Sequence, residues 1–378
     1  MSSRSRSFTA ILFLGDRSPY GLSVARALIP PEADGPRALH VKGVVAPTRA
    51  AWERASRRAL RHSLEDGMAA RAARRLRRAI TGLASVRPGP GGQATVGETG
   101  QPLPDDTLDP GITGEAFEMS CAAAGVGWRR VDDVRSIGLR EMLSAMRPDL
   151  FLSAAFPLIL PDPLLAVPGL GSINFHPSLL PRCRGCHPIF WTLASGETQG
   201  GVTAHWMTSE VDAGDIVAQI PLPLTEEDGY VSLYRRAMDC SPRLVRMVEE
   251  FLLSEERTAI PQDHSRATSF HEDTERDHRV HWSGRSPAEI AALVRTGMAF
   301  TLLRGERLGI LAVADHHPAA REKRLSKAGR VVAVHEDRLV VAVAGGAVEL
   351  LAVTWRGRAH RAGELARAIG VSRNEELG

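Results

Sequence analysis

The run Thr9–Leu14, TAILFL, carries no charged residue and a single hydroxyl in six positions. A strand with one wet face alternates apolar and polar residues. A strand that is apolar throughout must be covered on both faces. The loop GDRSPYG and the amphipathic stretch LSVARALI follow it. Strand, loop and helix then recur. VKGVVAP (Val41–Pro47) reads as a second strand, and the helix-like IGLREMLSAM leads into DLFLSA (Asp149–Ala154). Doubly covered strands alternating with helices predict an α/β fold with a Rossmann-like, parallel-rich sheet. No G-x-G-x-x-G follows the first strand, so a dinucleotide is not implied.

The pattern changes beyond Pro287. PAEIAALVRTGM reads as one helix. FTLL, RLGILAVA, GRVVAVHE, RLVVAVAGG and AVELLAVTW then read as short strands with Gly-containing turns. That pattern predicts a small β-barrel or sandwich as a second domain. The polar stretch Ala267–Ser283 reads as a linker, giving a catalytic domain over 1–270 and a C-terminal barrel-like domain over 271–378. Before the linker, GGVTAHWM and DIVAQIPLPL read as strands, and SLYRRAMDCSPRLVRMVEEFLLSE as one long helix. An insert covers about 49–114. Its first half is rich in Arg and Ala, which favours helix. Its second half is loaded with Gly and Pro and predicts a surface loop. The basic helix could grip phosphate, but Glu53, Glu65 and Asp66 interrupt its charge and favour a solvated helix.

Bulk properties exclude little else. The 378 residues are 43% hydrophobic and 24% charged, with 47 basic against 44 acidic side chains. That balance does not by itself call for a nucleic acid or a membrane. Four scattered cysteines are too few for a disulfide framework in such a chain and point to a reducing cytoplasm. Asp16 and Arg17 cut the first apolar run too short for a signal peptide, and no run approaches the length of a membrane span.

The stretch SINFHPSLLPRCRGCHP (Ser172–Pro188) concentrates chemistry. Cys183 and Cys186 supply only half of a structural zinc set, and Cys121 and Cys240 stand apart. A redox pair normally opens a helix directly after a strand, whereas prolines flank this one. Metal is therefore not expected. Asn174 and His176 are two residues apart, so on an extended chain they share a side. An amide donor beside an imidazole suits acyl transfer, since one can bind an oxyanion and the other can move a proton. Such a pair is equally compatible with a structural role.

Several motifs occur together in one order: N-x-H-P-S-L-L-P, R-G, G-E, G-V-T, then D-A-G-D-I and Gln219. In that order they resemble the folate-dependent formyltransferase family, firmly over Ala155–Leu224 and more loosely elsewhere. The resemblance implies a catalytic trio of Asn174, His176 and Asp212, with the 38-residue spacing from Asn174 to Asp212. It implies 10-formyltetrahydrofolate as donor, its pterin held by the apolar loop of Phe156, Leu158 and Leu160 and by Ser209, Glu210 and Val211. Asn174 would bind the oxyanion, His176 would act as a protonated acid, and Asp212 would hold that charge or relay the amine proton through water. His205 could approach the site, although a packed strand residue is the favoured reading, and Cys183 reads as part of the acceptor pocket. RDHRVHWSGRSPAEIAALVRTGMAF resembles the start of the family's second domain.

Members of the family that formylate tRNA usually read His-Ala-Ser-Leu-Leu-Pro and Arg-Gly-Ala-Ala-Pro. This chain has His176-Pro177 and Arg184-Gly185-Cys186-His187-Pro188. The expected acceptor is therefore a small-molecule amine, an amino-sugar nucleotide or specialised metabolite, with methionyl-tRNA as the alternative. A hydrolase that uses water ranks lower, because the chain starts directly at its first strand.

Overall fold

The computed structural model describes residues 7–29, 38–55, 113–316 and 327–378. β1 (Phe8–Leu14) turns into α1 (Pro19–Leu28). Ser18 caps that helix by accepting from the Gly21 N–H, and Pro19 sits in the first turn, where a missing N–H costs nothing. β2 (Leu39–Pro47), α2 (Gly114–Ala123), β3 (Gly127–Val131), α3 (Ile137–Ala145), β4 (Leu150–Ala154) and β5 (Gly171–His176) follow. These five strands lie parallel in the order β3-β2-β1-β4-β5. After the two-residue β6 (Arg184–Gly185) and α4 (Pro188–Ala194), β7 (Gln199–Trp206) and β8 (Ile216–Pro223) extend the sheet antiparallel beyond β5.

The sheet is covered as its apolar runs require. Ala10–Leu14 and all of β4 are buried. On one face Leu22, Val24 and Leu28 of α1 join Leu244, Val248 and Leu252 against β1, β7 and β8. On the other, Leu139 and Leu143 of α3 pack against Ile11, Phe13 and Phe151. The expected single long helix is two, α5 (Tyr230–Asp239) and α6 (Ser241–Leu253). Pro242 explains the break. It has no N–H to continue the first helix, but it suits the first turn of the second. Of the basic insert, residues 49–55 are helical; the rest of the expected helix and the Gly/Pro loop lie outside the described residues.

The stretch expected to be a linker contains β9 (Ser269–Phe270), paired parallel with β6, and a helical turn over 275–278. Then come α7 (Pro287–Arg295), β10 (Phe300–Leu303), β11 (Glu306–His316), β12 (Val331–Val334), β13 (Leu339–Val343), β14 (Gly346–Trp355), β15 (Arg358–Arg361) and α8 (Ala362–Ala368). The strands form an antiparallel half-barrel in the order β10-β11-β14-β13-β12, with β15 on β14. Residues near the C-terminus bridge its two edges. Leu377 pairs with Leu303 beside β10, and Glu376 with Arg330 beside β12. Pairing both edges covers backbone groups that an open sheet would expose. Phe190 of α4 is fully buried in the core of this half-barrel, with Ile290 and Leu293 of α7. Among the described residues, no helix is long and apolar enough to cross a membrane.

Candidate active site

β5 and β7 build the site by register. Antiparallel pairing sets Asn174 opposite His205 and His176 opposite Thr203. Side chains directly opposite on one face touch, and the Asn174 amide Nδ2 lies 3.3 Å from His205 Nε2. The turn after β7 brings the third member. Met207 N–H donates to the Ser172 carbonyl at 2.7 Å, folding that turn back over the end of β5. Asp212 then accepts from Asn174 Nδ2 at 3.3 Å through Oδ1, and Oδ2 lies 3.5 Å from His176 Nδ1. The 38-residue spacing therefore closes into one cluster at the carboxyl end of a sheet strand, where open α/β sheets bind ligands.

Asp212 sits in the left-handed backbone region at φ 52°, a conformation Asp tolerates better than most residues. Gln262 holds it there. Its amide donates to the Asp212 carbonyl at 2.8 Å and to the Gly214 carbonyl at 2.7 Å. The buried Arg184 guanidinium donates in turn to Gln262 Oε1 at 2.8 Å. The Gly185 N–H donates to Asp212 Oδ2 at 2.8 Å.

The hydrogen bonds fix the atom assignments. The Asn174 amide must present nitrogen to Asp212, because its oxygen would oppose a carboxylate. His205 Nδ1 faces the Trp206 carbonyl at 2.8 Å and must donate, and its Nε2 meets Asn174 Nδ2 at 3.3 Å and Asp212 Oδ1 at 3.4 Å. His176 Nε2 likewise donates to the Cys183 carbonyl at 2.9 Å, leaving Nδ1 toward Asp212. Burial raises the Asp212 carboxyl. His176, His205 and the Gly185 N–H outweigh burial and hold it well below the usual carboxylate range. Burial lowers His176, and Asp212 and the Cys183 carbonyl only partly restore it. Burial and the carboxylate thus pull His176 in opposite directions, with burial the larger effect. The ring can hold a proton at Nδ1, facing Asp212, and give it up again.

The apolar loop follows β4, the strand that pairs with β5. Phe156 packs edge-to-face on Phe13 with centroids 5.4 Å apart, and half-buried Leu158 packs on the same cluster. Leu160 is buried in that core, while Ile159 is exposed. Ser209 and Glu210 are exposed on the turn that carries Asp212, and Val211 is 48% exposed. Cys183 is buried and its thiol is pushed up to about 11 by burial, whereas Cys186 is exposed. Among the described residues, no three His, Cys, Asp or Glu side chains are grouped to hold a metal.

Of two further members of the cluster, the sequence reading gave His205 only as the less favoured alternative and missed Gln262. His205 is buried as a strand residue should be, yet it touches both Asn174 and Asp212. Pairing G-V-T-A-H against S-I-N-F-H antiparallel would have found it. Gln262 carries no local signal, since it acts through a side chain 50 residues from Asp212.

Comparison with known proteins agrees with this architecture. The formyl transferase domain matches over residues 121–248 and the formyl transferase C-terminal domain over 274–367. Methionyl-tRNA formyltransferase of Moorella thermoacetica is 32% identical over 246 residues, covering 64% of this chain and 77% of that protein. The Acidithiobacillus ferrooxidans enzyme of the same name is 31% identical over 310 residues, covering 78% of this chain and 94% of its own length. A sugar N-formyltransferase structure from Shewanella aligns with a TM-score of 0.47 at 16% identity, over 79% of this chain and 95% of that one.

Proposed function

Because this chain belongs to the folate-dependent formyltransferase family and takes its one-carbon unit from a formylated tetrahydrofolate, we propose that it formylates the α-amine of methionyl-tRNA. The observation that carries the acceptor is the Acidithiobacillus relative, a methionyl-tRNA formyltransferase matched over 94% of its length and so through both domains. The C-terminal half-barrel adds a physical reason. Its edge strand β15 exposes Arg358 and Arg361, a basic edge of the kind phosphates favour. A tRNA acceptor sets the reaction in the cytoplasm.

Asn174, His176 and Asp212 carry the chemistry in this reading. The unprotonated amine attacks the formyl carbon, and the carbonyl oxygen gains charge. An Asn174 amide hydrogen turns to that oxyanion. The new C–N bond leaves a proton on the attacking nitrogen. His176 accepts it at Nδ1, beside the Asp212 carboxylate that stabilises the imidazolium. His176 then returns the proton to the departing folate nitrogen as the C–N bond to folate breaks. The products are the formamide and tetrahydrofolate, with His176 neutral again. Phe156, Leu158 and the Ser209–Val211 turn face the pterin in this reading, with Leu160 packed in the core behind them.

A small-molecule amine is the second reading, favoured by His176-Pro177 and Cys186-His187-Pro188. One experiment separates the two. The purified protein is given 10-formyltetrahydrofolate with methionyl-tRNA, amino-sugar nucleotides or no amine, and tetrahydrofolate release is followed. Release that depends on methionyl-tRNA, falls steeply with salt and weakens in Arg358→Glu/Arg361→Glu supports the tRNA reading. Release with an amino-sugar nucleotide alone overturns it in favour of a small amine. Release without any amine makes the protein a hydrolase.

A further inference from the structure

The stretch Cys183–His187 is tied to a strap, Thr268–Thr274, that leads into the half-barrel. The Arg184 N–H donates to the Thr268 carbonyl at 2.8 Å and the Cys186 N–H to the Phe270 carbonyl at 3.2 Å. The Cys183 N–H donates to Thr268 Oγ1 at 2.9 Å. The backbones approach so closely that a Cβ on Gly185 would lie 2.1 Å from the Phe270 carbonyl oxygen. A ladder two residues long is marginal by itself, so other contacts must hold the loop on the strap.

Asp273 is the strongest of those contacts. Its side chain is 6% exposed, and each carboxylate oxygen takes one imidazole, His187 Nδ1 on Oδ1 and His278 Nε2 on Oδ2. Burial raises this carboxyl, but the two rings hold it well below the usual range. His187 sits in the left-handed region at φ 46° and makes no side-chain cap to α4. Such a backbone persists only where its surroundings hold it. His278 packs edge-to-face on Phe190, at 5.1 Å, inside the half-barrel core. Trp191 stacks on Phe270 at 4.3 Å and donates to the His271 carbonyl at 3.0 Å. Two residues before His187, the Gly185 N–H points at Asp212.

We propose that Asp273, gripping His187 and His278, is a positioning residue that locks the Arg184–His187 loop onto the strap and so sets the Gly185 N–H on Asp212. The half-barrel is then part of the catalytic geometry as well as an acceptor platform. The inference rests on formyl transfer at Asp212 and not on which amine accepts. A displacement of about 1 Å at such a site costs up to roughly 100-fold in rate.

The test uses the full-length protein in two assays. In single-turnover transfer to whichever amine the wild type accepts, Asp273→Ala should lower the rate about tenfold and leave donor affinity unchanged. His187→Asn, which keeps a donor near the Nδ1 position, should stay within about threefold, and His187→Ala should follow Asp273→Ala. In an Asp212→Asn background, Asp273→Ala should add less than about twofold, since both changes act through one carboxylate. In hydrogen exchange on the free protein, Asp273→Ala should speed exchange of the 184–187 amides about tenfold. His187→Ala, at a half-exposed side chain, carries both assays if Asp273→Ala fails to fold. Wild-type rates, an undiminished cost in the Asp212→Asn background, or wild-type exchange in the loop would each overturn the proposal. A wild type that formylates no amine defeats the functional reading alone, and loop exchange still judges the clamp.

Discussion

Asp212→Asn isolates charge from shape. The amide fills the same space, so the turn held by Gln262 and Arg184 has no steric reason to move. What disappears is the negative charge 3.5 Å from His176 Nδ1. When His176 takes the amine's proton, two unit charges at that separation attract by about 5 kcal/mol at an effective dielectric of about 20. The amide dipole and rearranged donors offset part of this. One of them must move, because an amide NH2 would otherwise face either the Asn174 amide or the Gly185 N–H. A residual loss of about 3 kcal/mol corresponds to roughly 100- to 200-fold in rate. The interaction exists only after proton transfer, so it should lower kcat and leave the donor KM within about threefold. Rapid-quench single turnovers at saturating donor read the step directly. A rate within fivefold of wild type in a folded variant would refute the charge assignment.

Asn174→Ala removes the side-chain amide that meets the Asp212 carboxylate and should lower kcat by about 100-fold or more, measured by tetrahydrofolate release. The depressed His176 has a signature in stability. Its folded pKa lies below its unfolded value, so as pH falls through about 6.5 the unfolded chain binds the proton first, and stability present above that pH is lost. His176→Gln should therefore flatten the decline in Tm between about pH 7 and pH 5, by calorimetry; an unchanged slope would show that the ring is not depressed. Phe190→Ala should destabilise the protein by about 3–5 kcal/mol in urea titration, because the ring is fully buried in the half-barrel core.

Much of the fold was legible because the apolar pattern states it directly. TAILFL and DLFLSA are apolar at nearly every position, and they became the two adjacent central strands β1 and β4. The five runs after Pro287 became β10 to β14. Two features needed information that periodicity lacks. The break between α5 and α6 turns on one proline inside an otherwise helical pattern. The strap over 268–274 is polar because it runs between two cores, so composition marked it as a linker. Its order comes from backbone pairing and the Trp191–Phe270 stack, neither of which leaves a periodic trace.

The site divides along the same line. Asn174 and His176 were visible as a pair because a strand sets alternate residues on one side. Asp212 entered only through the family's motif order, since no local rule ties a turn residue to a strand 38 positions earlier. His205 was visible in principle, but only once β5 and β7 are paired in register; a one-residue slip would turn its ring to the opposite face. The direction in which His176 is shifted lay further still from the sequence. A histidine beside an aspartate reads as an imidazolium when charge alone is weighed. Here the ring is buried and its Nε2 is committed to a carbonyl, and burial outweighs the carboxylate. A ring shifted toward its neutral form suits a proton shuttle, because a histidine already charged could donate to the leaving nitrogen but could not first relieve the attacking amine.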